Sequence, residues 1–176
     1  MGGTGFTNKS VGVKNMNTIT ILQPWASLIA CGAKKIETRS WPTKYRGQIA
    51  IHAGKGWTMF TRELTYRGPF YDALWKTHEE RKLSPYGRTK LLPVGAVIAI
   101  ADLVDCLQVV DSYVGLVSGI ITKKVRLSDG RVIFGNELNF GDYTRGRYAW
   151  ILANVRQIDP LPAKGRQRLW EWDGEK

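Results

Sequence analysis

Gly32-Ala33-Lys34-Lys35-Ile36-Glu37-Thr38-Arg39-Ser40-Trp41-Pro42 packs Lys34, Lys35 and Arg39, one carboxylate and one indole into eleven residues. Charge of that density is rarely buried as core, so this run is where a ligand site is expected. Before it stands Gln23-Pro24-Trp25-Ala26-Ser27-Leu28-Ile29-Ala30-Cys31. Pro24 suits the first turn of a helix, Trp25, Leu28 and Ile29 give it an apolar face, and Gly32 suits its C-terminal end. The charged run then reads as a strand over about Lys35 to Ser40, on which Lys35, Glu37 and Arg39 share one face and Ile36 and Thr38 the other. Ile36 marks the core side. Lys34 joins the charged face only from the turn after Gly32, and neither Lys34 nor Arg39 sits on the core parity, so Ala at either position is expected to leave the melting temperature nearly unchanged. Glu37, with cations on both sides, serves either as an ion-pair partner that orients them or as an acid or base.

Working outward, Thr18 to Leu22 and Gln48 to His52 alternate as strands. Between Trp57 and Leu83 the spacing is helical, with Phe60 and Leu64 before a Gly68-Pro69 break and Phe70, Ala73 and Leu74 after it, giving two helices or one bent helix. A β-rich segment runs from Ala96 to Val110. Val125 to Phe134 is a hairpin turned by Asp129-Gly130, and a last strand spans Tyr148 to Arg156. The tail from Pro160 is too rich in Pro and Gly for a long element, but Trp170 and Trp172 argue that it docks on the body. Roughly five to seven short strands, with helices inserted after the first and third, make an α+β chain built on a small β-barrel.

A chain of 176 residues with 43% apolar content is one domain's worth. Met16 stands just before the first strand and residues 1–15 are aperiodic, so 1–15 are expected to be an unstructured leader or tag remnant and 16–176 a single domain. Lys and Arg outnumber Asp and Glu by 26 to 15, a formal +11 that favours polyanionic partners. Two windows hold most of it: Lys34 to Arg67, with eight basic residues against two acidic, and Gly141 to Arg168, with six against two. Cys31 and Cys106 give no disulfide framework, and His52 and His78 add no metal-ligand spacing; no metal and no cofactor are expected, and a reducing, cytoplasmic compartment is. The longest apolar run, Val94 to Val104, is broken by Asp102, so no membrane partner is expected. Phosphate-loop, dinucleotide and zinc-protease motifs are absent.

The stretch resembles the ASCH family of PUA-like domains, whose signature Gly-x-Lys-x-x-Glu-x-Arg is met by Gly32, Lys34, Glu37 and Arg39. Gln23-Pro24-Trp25-Ala26, Arg39-Ser40-Trp41-Pro42, Lys44-Tyr45-Arg46-Gly47, Ile51-His52-Ala53, Gly95-Ala96-Val97-Ile98, Tyr148-Ala149-Trp150 and Pro160-Leu161-Pro162-Ala163-Lys164-Gly165 extend the likeness from about Met16 to Trp172. The resemblance implies a PUA-like β-barrel whose cleft binds RNA or another single-stranded nucleic acid. Some relatives are hydrolases, acting on N4-acetylcytidine or as ribonucleases, so a modified nucleoside is the alternative ligand. In the amidohydrolase group a threonine follows the signature lysine by three residues; here Glu37 holds that position and Thr38 is one out of register. Lys34 and Glu37 are then the catalytic candidates, as base and acid on a water. The expected nucleic-acid contacts are Gly32, Lys34, Glu37, Arg39, Trp41, Lys44, Arg46, His52, Lys164 and Arg166. His52, alone on an apolar strand, is more often a hydrogen-bonded core histidine than a ligand contact.

Overall fold

The computed structural model describes residues 15–174; the expected leader over 1–15 lies, but for Asn15, outside the described residues. Eight strands and five short helices follow in the order β1 (Met16–Ile21), α1 (Trp25–Ala30), β2 (Ile36–Arg39), β3 (Gly47–Ala53), α2 (Met59–Leu64), α3 (Phe70–Leu74), α4 (His78–Lys82), α5 (Pro85–Thr89), β4 (Ala96–Val117), β5 (Ile120–Leu127), β6 (Val132–Phe134), β7 (Tyr148–Pro162) and β8 (Leu169–Trp172), with a 3-10 turn at Gly135–Phe140 between β6 and β7. The class is α+β as expected, with eight strands in place of five to seven.

The strands form one curled sheet in the order β2-β7-β4-β3-β1-β8, with β5 and β6 branching from β4. β1 and β3 run parallel, the other pairs antiparallel. Register shifts between β4 and β7 at Val97/Ala99, Ile100/Asp102 and Leu103/Asp105 are bulges that bend long strands and let the sheet wrap. It wraps around Ile19, Ile29, Ile51, Ile98, Leu103 and Trp150, all at most 2% exposed. The ladder does not close into a barrel, because β2 and β8 end the path unpaired with each other. A side chain spans the opening instead: Arg39 Nη2 of β2 donates to the Thr20 carbonyl of β1 at 2.8 Å.

α1 is short and almost wholly buried. Gln23 holds its start, accepting from Ser27 N at 3.1 Å and donating to Ser27 Oγ and the Pro93 carbonyl at 2.7 Å each. Gly32, at φ +77°, ends it in the left-handed conformation that glycine adopts without a Cβ penalty. Where two helices or one bent helix are expected between Trp57 and Leu83 there are three, with α5 just beyond, because α2, α4 and α5 each start at a capping side chain and α3 starts after Pro69. Thr58 and Thr77 form capping boxes, and Ser84 Oγ accepts from Gly87 N. β4 runs past the expected Val110 and reverses at Ser118-Gly119, both at positive φ, a two-residue hairpin turn that the sequence reading missed. The Asp129-Gly130 hairpin is found where expected, joining β5 to β6. The tail docks, pairing β8 with β1 and burying Trp172.

Candidate functional site

Lys34 comes before β2 rather than on it, so the parity of the strand does not govern it, and the turn after Gly32 sends its side chain inward. It is fully buried. Its ammonium donates to the main-chain carbonyls of Ile36 and, at 2.9 Å, Phe140, and lies 3.5 Å from Glu37 Oε2. Two carbonyls and one carboxylate occupy all three donors of an ammonium. The expectation that Lys34 could be truncated without loss of stability is thereby overturned. On β2 itself the parity holds: Ile36 and Thr38 are buried, while Glu37 and Arg39 are partly exposed. Glu37 Oε1 lies 3.1 Å from Arg39 Nε, an ion pair off the line of the N–H bond, so Nε has no directed hydrogen bond. Lys34, Glu37 and Arg39 thus come together as expected, with the two cations turned towards Glu37 and backbone carbonyls.

Glu37 lines a pocket of about 420 Å³ with Trp25, Phe60, Leu64, Phe70, Asn139, Phe140, Asp142 and Arg147. Trp25 meets Phe70 edge-on at 6.5 Å and Phe70 meets Phe140 edge-on at 5.0 Å, which fixes one wall. Phe60 remains 65% exposed. At the rim, Asp142 accepts from the Thr144 hydroxyl at 2.6 Å and pairs with Arg147 at 3.2 Å. The Thr144 hydroxyl first, joined by its backbone N–H and the charges of Arg147 and Lys123, holds the Asp142 carboxyl below the usual range, against desolvation, which is the second-largest influence and acts upward. Aromatic walls with carboxylate acceptors suit a flat ring that presents N–H groups. Sequence reading missed Trp25, Phe60, Phe70, Phe140, Asp142 and Arg147 as site residues. The four-residue spacing of Phe60 and Leu64, read as a helix's apolar face, was the available signal: that face walls the pocket.

The other expected contacts lie elsewhere. Trp41 packs edge-on against Trp150 at 4.7 Å. Lys44 and Arg46 are exposed on the loop after β2, Arg46 paired with Asp105 at 3.0 Å. Lys164 and Arg166 line a separate cavity of about 960 Å³ with Trp170 and Trp172. His52 is buried behind them, its Nε2 3.1 Å from the Ala163 carbonyl and its ring 5.7 Å from that of Trp170. Burial pushes its pKa below 6.5, with the Ala163 carbonyl opposing and the Lys55 charge adding to the fall. It is the hydrogen-bonded core histidine of the alternative reading, with no bond to Glu37. Gly165 packs so closely that a Cβ there would lie 2.5 Å from His52 Cε1. Among the described residues no group of three His, Cys, Asp or Glu side chains could hold a metal ion, and no helix is long and apolar enough to cross a membrane.

The family model of the ASCH domain matches residues 19–162. Activating signal cointegrator 1 of Homo sapiens is 36% identical over 94 residues, covering 51% of this chain and 14% of that protein. Its Mus musculus counterpart is 33% identical over 90 residues, with the same two shares. The matched part of the chain thus spans only 14% of the length of these relatives.

Proposed function

This chain belongs to the ASCH domain family, and from that footing we propose that it binds RNA or another single-stranded nucleic acid and holds one base in the Glu37 pocket. One observation carries the reading: a carboxylate among the lining groups of a 420 Å³ pocket walled by aromatic rings, with Phe60 exposed at its side. Volumes of this order hold small planar ligands. Base stacking supplies affinity, and Glu37, braced by Lys34 and Arg39, accepts N–H groups from the base edge. Phosphates fall to the exposed cations, with Lys164 and Arg166 beside Trp170 offering both charge and a ring. Free Cys31 and Cys106 are in keeping with a reducing, cytoplasmic setting. Fluorescence anisotropy with labelled single-stranded RNA tests the pocket. Phe60→Ala should weaken binding roughly tenfold, the weight of one base–aromatic stack; unchanged affinity in both Phe60→Ala and Glu37→Gln would place binding elsewhere.

The hydrolase alternative is favoured by one feature, the 3.5 Å approach of Lys34 to Glu37, whose carboxylate lines a pocket with volume for one base. Against it, Lys34 is engaged as a donor to two carbonyls, leaving Glu37 alone to move a proton, and the Thr38 hydroxyl is occupied by the Asp142 N–H at 3.1 Å. Incubation with N4-acetylcytidine decides between them. Turnover lost in Glu37→Gln with binding retained would make Glu37 an acid or base; no turnover in either form leaves it a base-edge acceptor.

A further inference from the structure

Beyond Gln108, where pairing with β7 ends, β4 continues with β5 as a two-stranded ribbon, and β6 flanks only Lys124–Arg126. Its outer end is apolar and exposed: Val114 68%, Leu116 66%, Ile120 68% and Ile121 74%. The register sets Leu116 opposite Ile121 and Val114 opposite Lys123 on one face, with Ile120 on the other. An apolar end on both faces suits insertion between surfaces rather than docking on a flat one. Just behind it, Lys123 is exposed and Arg126 lies over Tyr113 at 5.2 Å.

The base of the ribbon stands beside the pocket. Its base is anchored by Val125 and Leu127, buried with Ile36 and Tyr143, and β5 touches the 3-10 turn that supplies Asn139 and Phe140 to the pocket wall. The charge of Lys123 reaches Asp142 at the rim.

We propose that the ribbon is a wedge for structured nucleic acid: Leu116 and Ile121 enter the base stack of a stem, Lys123 faces the adjoining phosphates, and the displaced base is passed to the Glu37 pocket. This rests on the base-binding reading of that pocket. A base inside a stem must leave its stack to enter a pocket, and aliphatic side chains pushed between base steps promote this. The +11 charge opposes a second copy of the chain and attracts a polyanion. The adjoining pocket selects nucleic acid among the anionic partners that an apolar end with a basic collar could meet.

The probe is a set of stem-loop RNAs carrying 2-aminopurine at successive stem positions, so that one reports the unstacking beside the displaced base, with a single strand of the same composition as control. Wild-type protein should raise the 2-aminopurine fluorescence. The double variant L116S/I121S should abolish the rise and weaken stem-loop binding about tenfold or more, as loss of an apolar wedge between base steps, with single-strand affinity unchanged. Both side chains are two-thirds exposed or more, so the melting temperature should be kept. Equal behaviour of variant and wild type on the stem-loop would overturn the wedge and leave the pocket reading standing. No binding of the single strand by wild type would remove both. Loss in the variant of sedimentation with vesicles of equal phosphatidylcholine and phosphatidylserine, of dimerisation, or of capture of an acidic apolar peptide, with stem-loop binding intact, would assign the ribbon to that partner instead.

Discussion

Removing the Lys34 side chain takes one of two cations from Glu37 and leaves the buried carbonyls of Ile36 and Phe140 without their donor. Lys34→Ala should therefore cost about 3–5 kcal/mol in urea denaturation, the range for breaking one side of a buried ion pair. Arg39→Ala, with its side chain 24% exposed, should cost about 1 kcal/mol; equal losses would mean that burial is not what distinguishes them. His52 makes stability depend on pH. Its pKa is lowered on folding, so the unfolded chain takes up the proton first as pH falls through 6.5. The contribution is complete above that value and lost as pH falls towards the folded pKa. Melting temperature should drop between about pH 7 and 5, and His52→Gln should flatten the drop; Asp142, with its pKa below 3.8, acts only at lower pH. Residues on a regular strand were legible from alternation, as Ile36 and Glu37 show. Lys34 was not, because it sits in a turn and its partner Phe140 is 106 residues away.

β2 has only four residues and pairs only with β7, so a short strand bearing the signature needs other support. Glu137 provides it: its carboxylate accepts from Lys35 N at 3.0 Å and Ile36 N at 3.1 Å, and from the Tyr143 hydroxyl at 3.4 Å. Glu137→Ala should destabilise the domain by about 2 kcal/mol and speed hydrogen exchange at these two amides above the global rate. Exchange unchanged there would show that β7 alone holds the strand. Elements with a local signature were readable, such as the Asp129-Gly130 hairpin. The Ser118-Gly119 turn lies inside an apolar run without the Asn-Gly or Asp-Gly pair that marks such turns, so from sequence the β-rich segment ends at Val110 and the ribbon beyond it is not legible. The helical insert was read as too few pieces because its periodicity is interrupted by caps at Thr58, Thr77 and Ser84.

Across the whole molecule, the charge makes nucleic-acid affinity a function of salt. The logarithm of the binding constant for single strands should fall with that of salt by about 0.7 per neutralised phosphate. Replacing Lys164 and Arg166 together by Ala should lower that slope by about 1.4 if each meets a phosphate; an unchanged slope in salt titrations would take the large cavity off the path. Charge and fold class could be read from composition and pattern. That the second basic window is divided between two cavities, Arg147 at one and Lys164 and Arg166 at the other, could not, since it depends on how β7 and β8 pair within the sheet. The pairing of β8 with β1 sets Met16 opposite Trp172, so the polypeptide enters and leaves the domain at one spot. Such a unit can be spliced into a surface loop of a larger protein without bridging any distance. The same proximity favours circular permutation: a short linker joining the ends of β1 and β8, with new termini opened at Ser118-Gly119, keeps every ladder except the tip of the ribbon.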